Sequence, residues 1–366
     1  MTGKTKGISR YLPEWALRSR SNPLTPYNPG KEATTGRPAK DTIYTIFDYD
    51  EKHIEELKFL DEDKCSRYLH NEHTTWINVD GLKKDEVEKL CAQFSVHPLV
   101  VEDILSIGQR AKMDEVGDII FCLLPMLYFN PKSAEVESEQ VSIVMGKDFL
   151  ISFQEDPDRD VFDPVRERLR GGNLRLRQSR ADYLCYSLLD VIVDSYFNIV
   201  EQLNNRIEHL EDDLINRKEE GALARISLLR REVMVMKRAI QPVRDLVNSF
   251  LKTENKLIDD RNLKYYKDVS DHIIQANDYT ENLREMLMNL QDLYMNQINL
   301  RMNEVMKIFT MVALLLAPAT VIGGIFGMNF DAIPGIHNQR GFFISVGAML
   351  IIPVLMLIYF KRKKWF

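Results

Sequence analysis

The chain has 366 residues, a formal net charge of −6 and 45% hydrophobic residues, enough for two or three domains with a hydrophobic core. The charge is uneven: the first 40 residues are basic, the middle is acidic, and the last six carry four positive charges. This basic tail follows an uncharged apolar run, so we interpret it as a membrane anchor and exclude a nucleic-acid partner. The four cysteines lack zinc-ligand spacing, and we expect them to be reduced core residues.

Residues 1–40 combine five prolines with scattered Lys and Arg and show little periodicity. We predict a flexible basic arm over this segment. An arm that touches anionic lipid or an acidic neighbouring surface is the alternative to a plain disordered leader. The N-terminus carries no apolar segment of the signal-peptide type, so no cleaved leader is expected.

Residues 41–172 are predicted to form an α/β cytoplasmic domain, because short strand-like segments are interleaved with helical spacing. Strands are predicted at 42–47, 75–79, 119–127, 141–145 and 149–153, the last two paired across a turn at Gly146. Helical spacing predicts a helix over 84–94, and the domain is expected to end at the two glycines of 171–172.

Long cytoplasmic helices are predicted over 173–260, where apolar residues repeat at helical spacing. Pro242 interrupts the second of them, over 222–251, and is expected to bend it. One further helix is predicted from 261 to 329, which leaves the cytoplasmic domain and enters the membrane without a break. Such a helix would be on the order of 100 Å long. It either transmits motion mechanically or is a passive stalk, and periodicity does not separate the two.

Two uncharged runs, 308–329 and 341–360, are each long enough to cross a bilayer core as a helix. They predict a C-terminal membrane hairpin with a short extracytoplasmic loop at 330–340. The tail at 361–366 has the positive charges expected on the cytoplasmic side, namely Lys361, Arg362, Lys363 and Lys364. With two spans, both termini are then cytoplasmic.

A stripe of mostly small or polar residues follows one face of the first span and its approach, at spacings of three and four: Asn303, Met306, Thr310, Ala313, Ala317, Thr320 and Gly324. On an isolated hairpin such a stripe usually indicates close helix packing. The run ends, however, at Asn329, and an amide in the membrane needs a partner or water. Several copies around an axis would place a ring of amides at a water-filled entrance, next to a hydrophobic constriction.

Seven sequence blocks occur in a characteristic order: HPLVVEDIL (97–105), ESEQVS (137–142), DVFDPVRERLR (160–170), RADYLCYSLLD (180–190), NEVMK (303–307), FGMNF (326–330) and KRKKWF (361–366). With these blocks the chain resembles the CorA-type divalent metal ion transporters of the two-span GMN class, over roughly 41–366. The tripeptide GMN alone is a weak signal. At the end of the first of two C-terminal spans, with the other blocks in order, it is a strong one.

The resemblance implies a funnel-shaped homopentamer in the inner (plasma) membrane, with long helices lining the pore and the second spans facing lipid. It implies passive influx of hydrated Mg²⁺, with Co²⁺ and Ni²⁺ also carried, and a divalent ion gains about 4.6 kcal/mol per 100 mV of membrane potential. The entrance would consist of Gly327, Met328 and Asn329, and the conduit of Met306, Phe309, Ala313, Ala317 and Thr320. A neutral amide ring suits Mg²⁺, which sheds its waters reluctantly.

The resemblance also implies a cytoplasmic gate. Positions matching Asp103 and Asp268 hold a regulatory Mg²⁺ between neighbouring subunits, and those matching Glu102 and Asp190 form a second site nearby. Without the resemblance, a solvated acidic face is the simpler interpretation of these carboxylates. Bound metal would bridge them and hold the pore shut, whereas their repulsion without metal would loosen the subunit contacts. The basic tail would add a positive collar at the cytoplasmic end of the pore.

Two departures from the family pattern bear on the choice of ion. Phe326 stands where the family commonly has tyrosine, and the loop at 333–336 lacks the usual glutamate. A ZntB-like zinc transporter of the same architecture is therefore the alternative to Mg²⁺ transport. A membrane-anchored coiled-coil scaffold would explain the helices but not Asn329. The sequence shows no nucleotide-binding motif, HExxH or nucleophile–base pattern, so neither a nucleotide partner nor an enzyme is expected.

Overall fold

The computed structural model describes residues 42–68, 73–130, 135–216, 221–328, 334 and 339–363. The predicted arm at 1–40, Asn329, Lys364 and most of the loop at 330–340 lie outside the described residues. The chain divides into two compact units, Met1–Leu290 and Gln291–Phe366, which we call the N-terminal unit and the C-terminal unit.

The N-terminal unit contains a seven-stranded sheet formed by β1 Ile43–Tyr49, β2 Ile54–Phe59, β3 Thr74–Asp80, β4 Lys112–Val116, β5 Ile119–Asn130, β6 Glu135–Met145 and β7 Phe149–Gln154. The strand order is β2-β1-β3-β7-β6-β5-β4. Neighbouring strands are antiparallel except for β3 and β7, which are parallel. The five predicted strands are all present, and the antiparallel pairing of β6 with β7 is confirmed.

The sequence does not predict β2 and β4, which form the two edges of the sheet. Their sequences, IEELKF and KMDEV, are rich in charge, and their side chains are exposed or half-buried. An edge strand has solvent on one side, and charged side chains discourage it from pairing with another chain. The apolar alternation that identifies the inner strands is therefore missing at the edges.

The described α-helices are α1 Lys84–Gln93, α2 Pro98–Leu105, α3 Asp163–Arg170, α4 Leu174–Arg177, α5 Ala181–Ile215, α6 Ala222–Lys252, α7 Leu263–Phe326 and α8 Gln339–Arg362. The helix predicted over 222–251 is confirmed as α6, which continues through Pro242. The described α7 ends at Phe326, where the prediction extended to 329, and Gly327 and Met328 form a turn after it.

Helices cover both faces of the sheet. On one face Tyr44 lies in a buried cluster with residues of α1 and α2. On the other face Phe47 stacks on Trp76 with 5.3 Å between ring centroids, and the Tyr196 hydroxyl of α5 donates a hydrogen bond to the Pro125 carbonyl of β5. The unit is thus a three-layer α/β/α arrangement. Its four cysteines are buried core residues, as the sequence predicts, and they form no disulfide.

The C-terminal unit contains most of the apolar part of α7 together with α8. Met311 and Phe360 are its buried hydrophobic side chains among the described residues. A Cβ added at Gly323 of α7 would lie 3.7 Å from Met349 Cε of α8, so the two helices contact each other closely there. Many other apolar side chains of both helices are exposed, among them Phe309 and Phe343.

Candidate functional site

A cluster of metal-ligating side chains lies between α5 and α7 in the N-terminal unit. Asp190 of α5 and Asp268 and His272 of α7 each offer one ligand atom, and these atoms lie within 4.8 Å of one another. Asp190 is buried, with 8% of its surface exposed, whereas Asp268 is exposed. We call this group the α5–α7 cluster.

Helical spacing explains how α5 and α7 present these groups. Asp190 and Asp194 are four residues apart on α5, as are Asp268 and His272 on α7, so each pair shares one helix face. Asp194 Oδ1 lies 3.8 Å from His272 Nδ1.

Aromatic contacts on both sides of the α5–α7 cluster hold the two helices together. Before it along both helices, the Tyr266 hydroxyl of α7 donates a 2.7 Å hydrogen bond to the Asp182 carbonyl of α5. After it, the Phe197 ring of α5 meets the His272 ring edge-on at 6.1 Å. Because these contacts fix the helix pair, the acidic groups face one another at short range.

The electrostatics of the α5–α7 cluster favour a cation. Burial raises the pKa of Asp190, and the neighbouring Asp194 carboxylate raises it further. Burial also raises the pKa of Asp194, while His272 and Arg168 oppose the shift. His272 Nδ1 is buried and has no hydrogen-bond partner among the described residues. A bound cation would neutralise the carboxylates and could use this nitrogen.

The donor set of the α5–α7 cluster fits a divalent ion. Carboxylate oxygens are the ligands that Mg²⁺ takes in proteins. An imidazole beside them suits Co²⁺, Ni²⁺ or Zn²⁺. The sequence-based site included Asp190 and Asp268 but neither Asp194 nor His272, although their spacing of four from those carboxylates was visible in the sequence.

The structure does not bring Glu102 and Asp103 to the α5–α7 cluster within one chain, since neither belongs to a group of possible ligands in the described residues. Both lie on α2. Asp103 Oδ2 accepts a 2.6 Å hydrogen bond from Lys112 Nζ, which places a positive partner on this carboxylate. Glu102 is exposed and lines a groove between α1 and α2.

The predicted pore-lining residues share one face of α7. The residues Asn303, Met306, Phe309, Thr310, Ala313, Ala317, Thr320 and Gly324 are all exposed. At 3.6 residues per turn they span an arc of about 120°. The hydroxyls of Thr310 and Thr320 donate to the carbonyls of Met306 and Leu316, at 2.8 and 3.1 Å. These hydroxyls are therefore satisfied without a second helix.

The opposite face of α7 is covered within the chain. The buried and half-buried positions of the apolar part recur at helical spacing, at Lys307, Met311, Leu315, Pro318, Ala319, Ile322 and Phe326. Gly323, where Met349 of α8 approaches α7, lies beside this face. The face with the predicted pore residues lies opposite these positions, and a single chain leaves it open.

The ends of the two apolar helices carry the remaining predicted groups. Gly327 N–H donates to the Gly323 carbonyl at 2.9 Å, and Met328, which is half exposed, follows it in the turn. Asn329 lies outside the described residues. At the other end, Lys361, Arg362 and Lys363 are exposed, and Lys364 is not described.

Three described helices are long and apolar enough to cross a membrane: α5, α7 and the segment Arg340–Arg362 of α8. In the apolar window of α5, 67% of the residues are buried in the protein, against 6% for α7 and 0% for α8. Because α5 packs on the sheet, its apolar residues belong to the core. The two exposed apolar helices are the two that the sequence predicts to span the membrane.

Comparison with known proteins decides the family. A family model described as CorA-like Mg2+ transporter protein matches residues 71–362. The chain is also 36% identical to the cobalt/magnesium transport protein CorA of Thermotoga maritima over 338 residues, which are 92% of this chain and 96% of the relative. The chain belongs to the CorA-like Mg²⁺ transporter family. CorA-family proteins are ion transporters and not enzymes.

Two more distant relatives bear on the fold and on the ion. The complete structure of the CorA magnesium transporter from Methanocaldococcus jannaschii matches with a TM-score of 0.73 at 21% identity, covering 88% of this chain and 98% of that chain. This match shows the CorA fold, with an α/β domain, long helices and C-terminal apolar helices. The zinc transport protein ZntB of Yersinia pestis is 21% identical over 295 residues, 79% of this chain and 87% of the relative.

Proposed function

We propose that this CorA-family chain is one subunit of a homopentameric, channel-like transporter in the inner (plasma) membrane, with both termini in the cytoplasm. It carries hydrated Mg²⁺ inward, and Co²⁺ and Ni²⁺ as well, driven by the membrane potential. The cobalt and magnesium transport named for the Thermotoga relative supports this choice of ions. Cytoplasmic Mg²⁺ regulates the flow by binding between subunits.

The open face of α7 is the observation that carries the proposal. Asn303, Thr310 and Thr320 give this face a polar character that suits a water-filled conduit better than a lipid-facing surface. Met349 of α8 contacts α7 at Gly323, which lies outside this open face. Copies of the chain that bring their open faces together would line a conduit with Thr310, Ala313 and their neighbours and leave α8 outside, against lipid.

The chemistry of the conduit suits a hydrated ion. A ring of Asn329 amides at the outer mouth, beside Gly327 and Met328, offers neutral oxygens that contact the ion through its water shell. Further in, exposed Met306 and Phe309 form an apolar constriction, which blocks ions when it loses its water. An ion passes when the constriction widens enough to stay wet.

The α5–α7 cluster is the proposed regulatory site. Asp190, Asp268 and His272 supply the donors from one subunit, and Asp103 and Glu102 of the adjacent subunit complete the coordination. Asp103 would exchange its Lys112 partner for the metal. Bound Mg²⁺ screens the carboxylates and holds neighbouring subunits together. The basic collar of Lys361, Arg362, Lys363 and Lys364 lies at the cytoplasmic end of the conduit.

Zinc is the second candidate ion. The ZntB relative and the loop at 333–336, which lacks a carboxylate, favour it. The higher identity to the cobalt/magnesium relative and the oxygen-rich α5–α7 cluster favour Mg²⁺. Flux measured with Mg²⁺, Co²⁺ and Zn²⁺ in turn, with and without a membrane potential, separates the two.

Influx into proteoliposomes tests the conduit. Ala313→Phe places a bulky ring on the open face of α7, and we expect it to reduce potential-driven Mg²⁺ influx at least about tenfold by narrowing the pore. The matched control is Val312→Phe, one position before Ala313 and outside the arc of the predicted pore residues. Equal influx in both variants, full influx through Asn329→Ala, or a purified protein that is monomeric in lipid would each contradict the proposal.

Protection from proteolysis tests the gate. Asp268→Asn and Asp190→Asn remove a charge from the α5–α7 cluster, so a higher Mg²⁺ concentration should be needed to protect the chain from protease. Asp271→Asn is the control, because Asp271 is exposed on α7 but is not part of the cluster. Identical Mg²⁺ dependence in all three variants would exclude this cluster as the regulatory site, without affecting the proposed conduit.

A further inference from the structure

A second group of metal ligands lies elsewhere in the N-terminal unit, at one end of strands β1, β2 and β3. Asp48, His53 and His73 each offer one ligand atom, and these atoms lie within 4.8 Å of one another. We propose that these three residues bind a divalent transition-metal ion of the Zn²⁺, Ni²⁺ or Co²⁺ class, in preference to Mg²⁺. This inference does not depend on the proposed transport function.

The strand register brings the three ligands together. Asp48 is near the end of β1 and faces Thr75 of β3 and Glu55 of β2 in the two antiparallel pairings. His53 directly precedes β2, and His73 directly precedes β3. Because β2 and β3 flank β1, the two histidines lie on either side of the end of β1.

The ligands are held in place by their neighbours. Asp48 Oδ2 lies 2.8 Å from His73 Nδ1, and Asp48 Oδ1 accepts a 2.7 Å hydrogen bond from the Thr75 hydroxyl. The Asp50 carboxylate accepts the backbone N–H of His53 at 2.5 Å, which fixes the β1–β2 turn. The side chain of Asp48 is 6% exposed and that of His73 34%, so metal reaches the site through the histidine side.

The ring of His73 has the environment of a metal-bound histidine. Its Nδ1 faces Asp48, and its Nε2 lies 3.4 Å from Asp50 Oδ2. A ligating histidine usually gives its other ring N–H to a carboxylate, which orients the ring and raises its basicity. Here Nδ1 would bind the metal and Nε2–H would point to Asp50. Asp50 is a positioning residue, because it acts through the two histidines.

Little rearrangement is required. A tetrahedral ion with bonds of about 2.0–2.1 Å separates its ligand atoms by about 3.3–3.4 Å. The metal would replace the proton that His73 Nδ1 and Asp48 share, and their 2.8 Å separation would widen by about half an ångström. The rings of His53 and His73 are already close, with centroids 5.7 Å apart.

The donor set selects the metal. Two imidazoles and one carboxylate suit Zn²⁺, Ni²⁺ and Co²⁺, whereas Mg²⁺ prefers an all-oxygen shell and keeps its waters. Water would complete the coordination on the exposed side. The α5–α7 cluster differs, because it contributes two carboxylates and one imidazole. Excess Mg²⁺ in a cell would therefore not occupy the site formed by Asp48, His53 and His73, and a scarcer transition-metal ion could bind there.

Zinc binding to the full-length purified protein in excess Mg²⁺ tests the inference. His53→Gln and His73→Gln should each weaken one Zn²⁺ site by about tenfold or more. The same site should persist in His272→Gln, which alters the α5–α7 cluster, and in His209→Gln, which alters an exposed histidine on α5. Co²⁺ should show the visible absorption of a tetrahedral nitrogen-containing site, lost in the first two variants only.

Two results would overturn the proposal. One is Zn²⁺ binding of equal stoichiometry and affinity in the parent and in the double variant His53→Gln/His73→Gln. The other is a metal-free melting temperature that falls in His73→Gln while Zn²⁺ binding stays the same, since His73 would then serve only as the ion-pair partner of Asp48. Transport and protease protection are not used as readouts, so the proposed function can fail without this inference failing.

Discussion

The two compact units treat their apolar side chains in opposite ways. In the N-terminal unit, large side chains such as Trp76, Phe121 and Tyr196 are fully buried by the same chain. In the C-terminal unit, Phe342 and Phe343 are 65% and 72% exposed. Apolar patches of this extent mark surfaces that lie against lipid or another protein. One chain completes the core of the first unit, whereas the apolar surface of the second is left for lipid or another protein to cover.

The units also satisfy their polar groups differently. The N-terminal unit buries a network in which Trp76 Nε1–H donates to Ser152 Oγ at 2.9 Å, and the Ser152 hydroxyl donates to Asn78 Oδ1 at 2.6 Å. This network joins side chains of two neighbouring strands, β3 and β7. In the C-terminal unit, Thr310 and Thr320 bond only to carbonyls of their own helix among the contacts described. The polar groups of this exposed helix face are therefore hydrogen-bonded without a second chain.

The sharpest test of this contrast is a pair of aromatic truncations. Trp76→Ala removes a buried ring and its hydrogen bond, and we expect it to lower the free energy of unfolding by about 3–5 kcal/mol. Phe343→Ala, on exposed α8, should change it by less than about 0.5 kcal/mol. Denaturant unfolding in detergent, followed by the near-UV signal, measures both. Equal losses would show that the two units share one core.

Within the N-terminal unit, a buried and an exposed ion pair give a second, somewhat smaller contrast. Arg206 of α5 hydrogen-bonds both oxygens of Glu232 on α6, whose surface is 6% exposed. Arg206→Met leaves that buried carboxylate unpaired, and the expected loss of stability is about 3 kcal/mol. The control Arg110→Met removes an exposed pair with Asp245 and should cost at most about 1 kcal/mol. Thermal unfolding measures the loss of stability in both variants. Equal losses would show that burial does not make the Arg206–Glu232 pair more stabilising than the exposed pair.

The smallest expected effect is on pH dependence. Burial raises the pKa of Glu139 on β6 to about 7, although its carboxylate accepts the backbone N–H groups of Glu155 and Asp156. Because the folded pKa lies above the unfolded one, the native state holds the proton longer. This group therefore favours folding at low pH and loses that contribution as the pH rises toward 7.

Glu139→Gln keeps a carbonyl oxygen for the two backbone donors but cannot ionise. The variant should lack a pH-dependent loss of about 2 kcal/mol between pH 5 and 8. Melting temperatures measured across that range for the parent and the variant provide the test. Parallel curves would mean that Glu139 does not contribute to the pH dependence. Asp80, with a pKa raised to about 6 chiefly by burial, acts in the same direction and remains in both proteins.

Much of the fold was predictable because its signals are local. The inner strands β1, β3, β5, β6 and β7 alternate or run apolar, and the two apolar helices are long and uncharged. The edge strands β2 and β4 were not predicted, because their charged side chains lie in solvent and give no apolar alternation. The helix over 222–251 was predicted from its apolar spacing, and α6 has nearly the same bounds.

The candidate sites also differ in whether their signals are local in the sequence or depend on tertiary packing. The sequence by itself determined the apolar spans, the polar stripe on α7 and the family motifs, because each depends on neighbours along the chain or on a helical repeat. Only the tertiary structure decided that Asp190 meets Asp268 and His272, and that Asp48 meets His53 and His73. These groups come from separate elements, and helix packing and strand register bring them together.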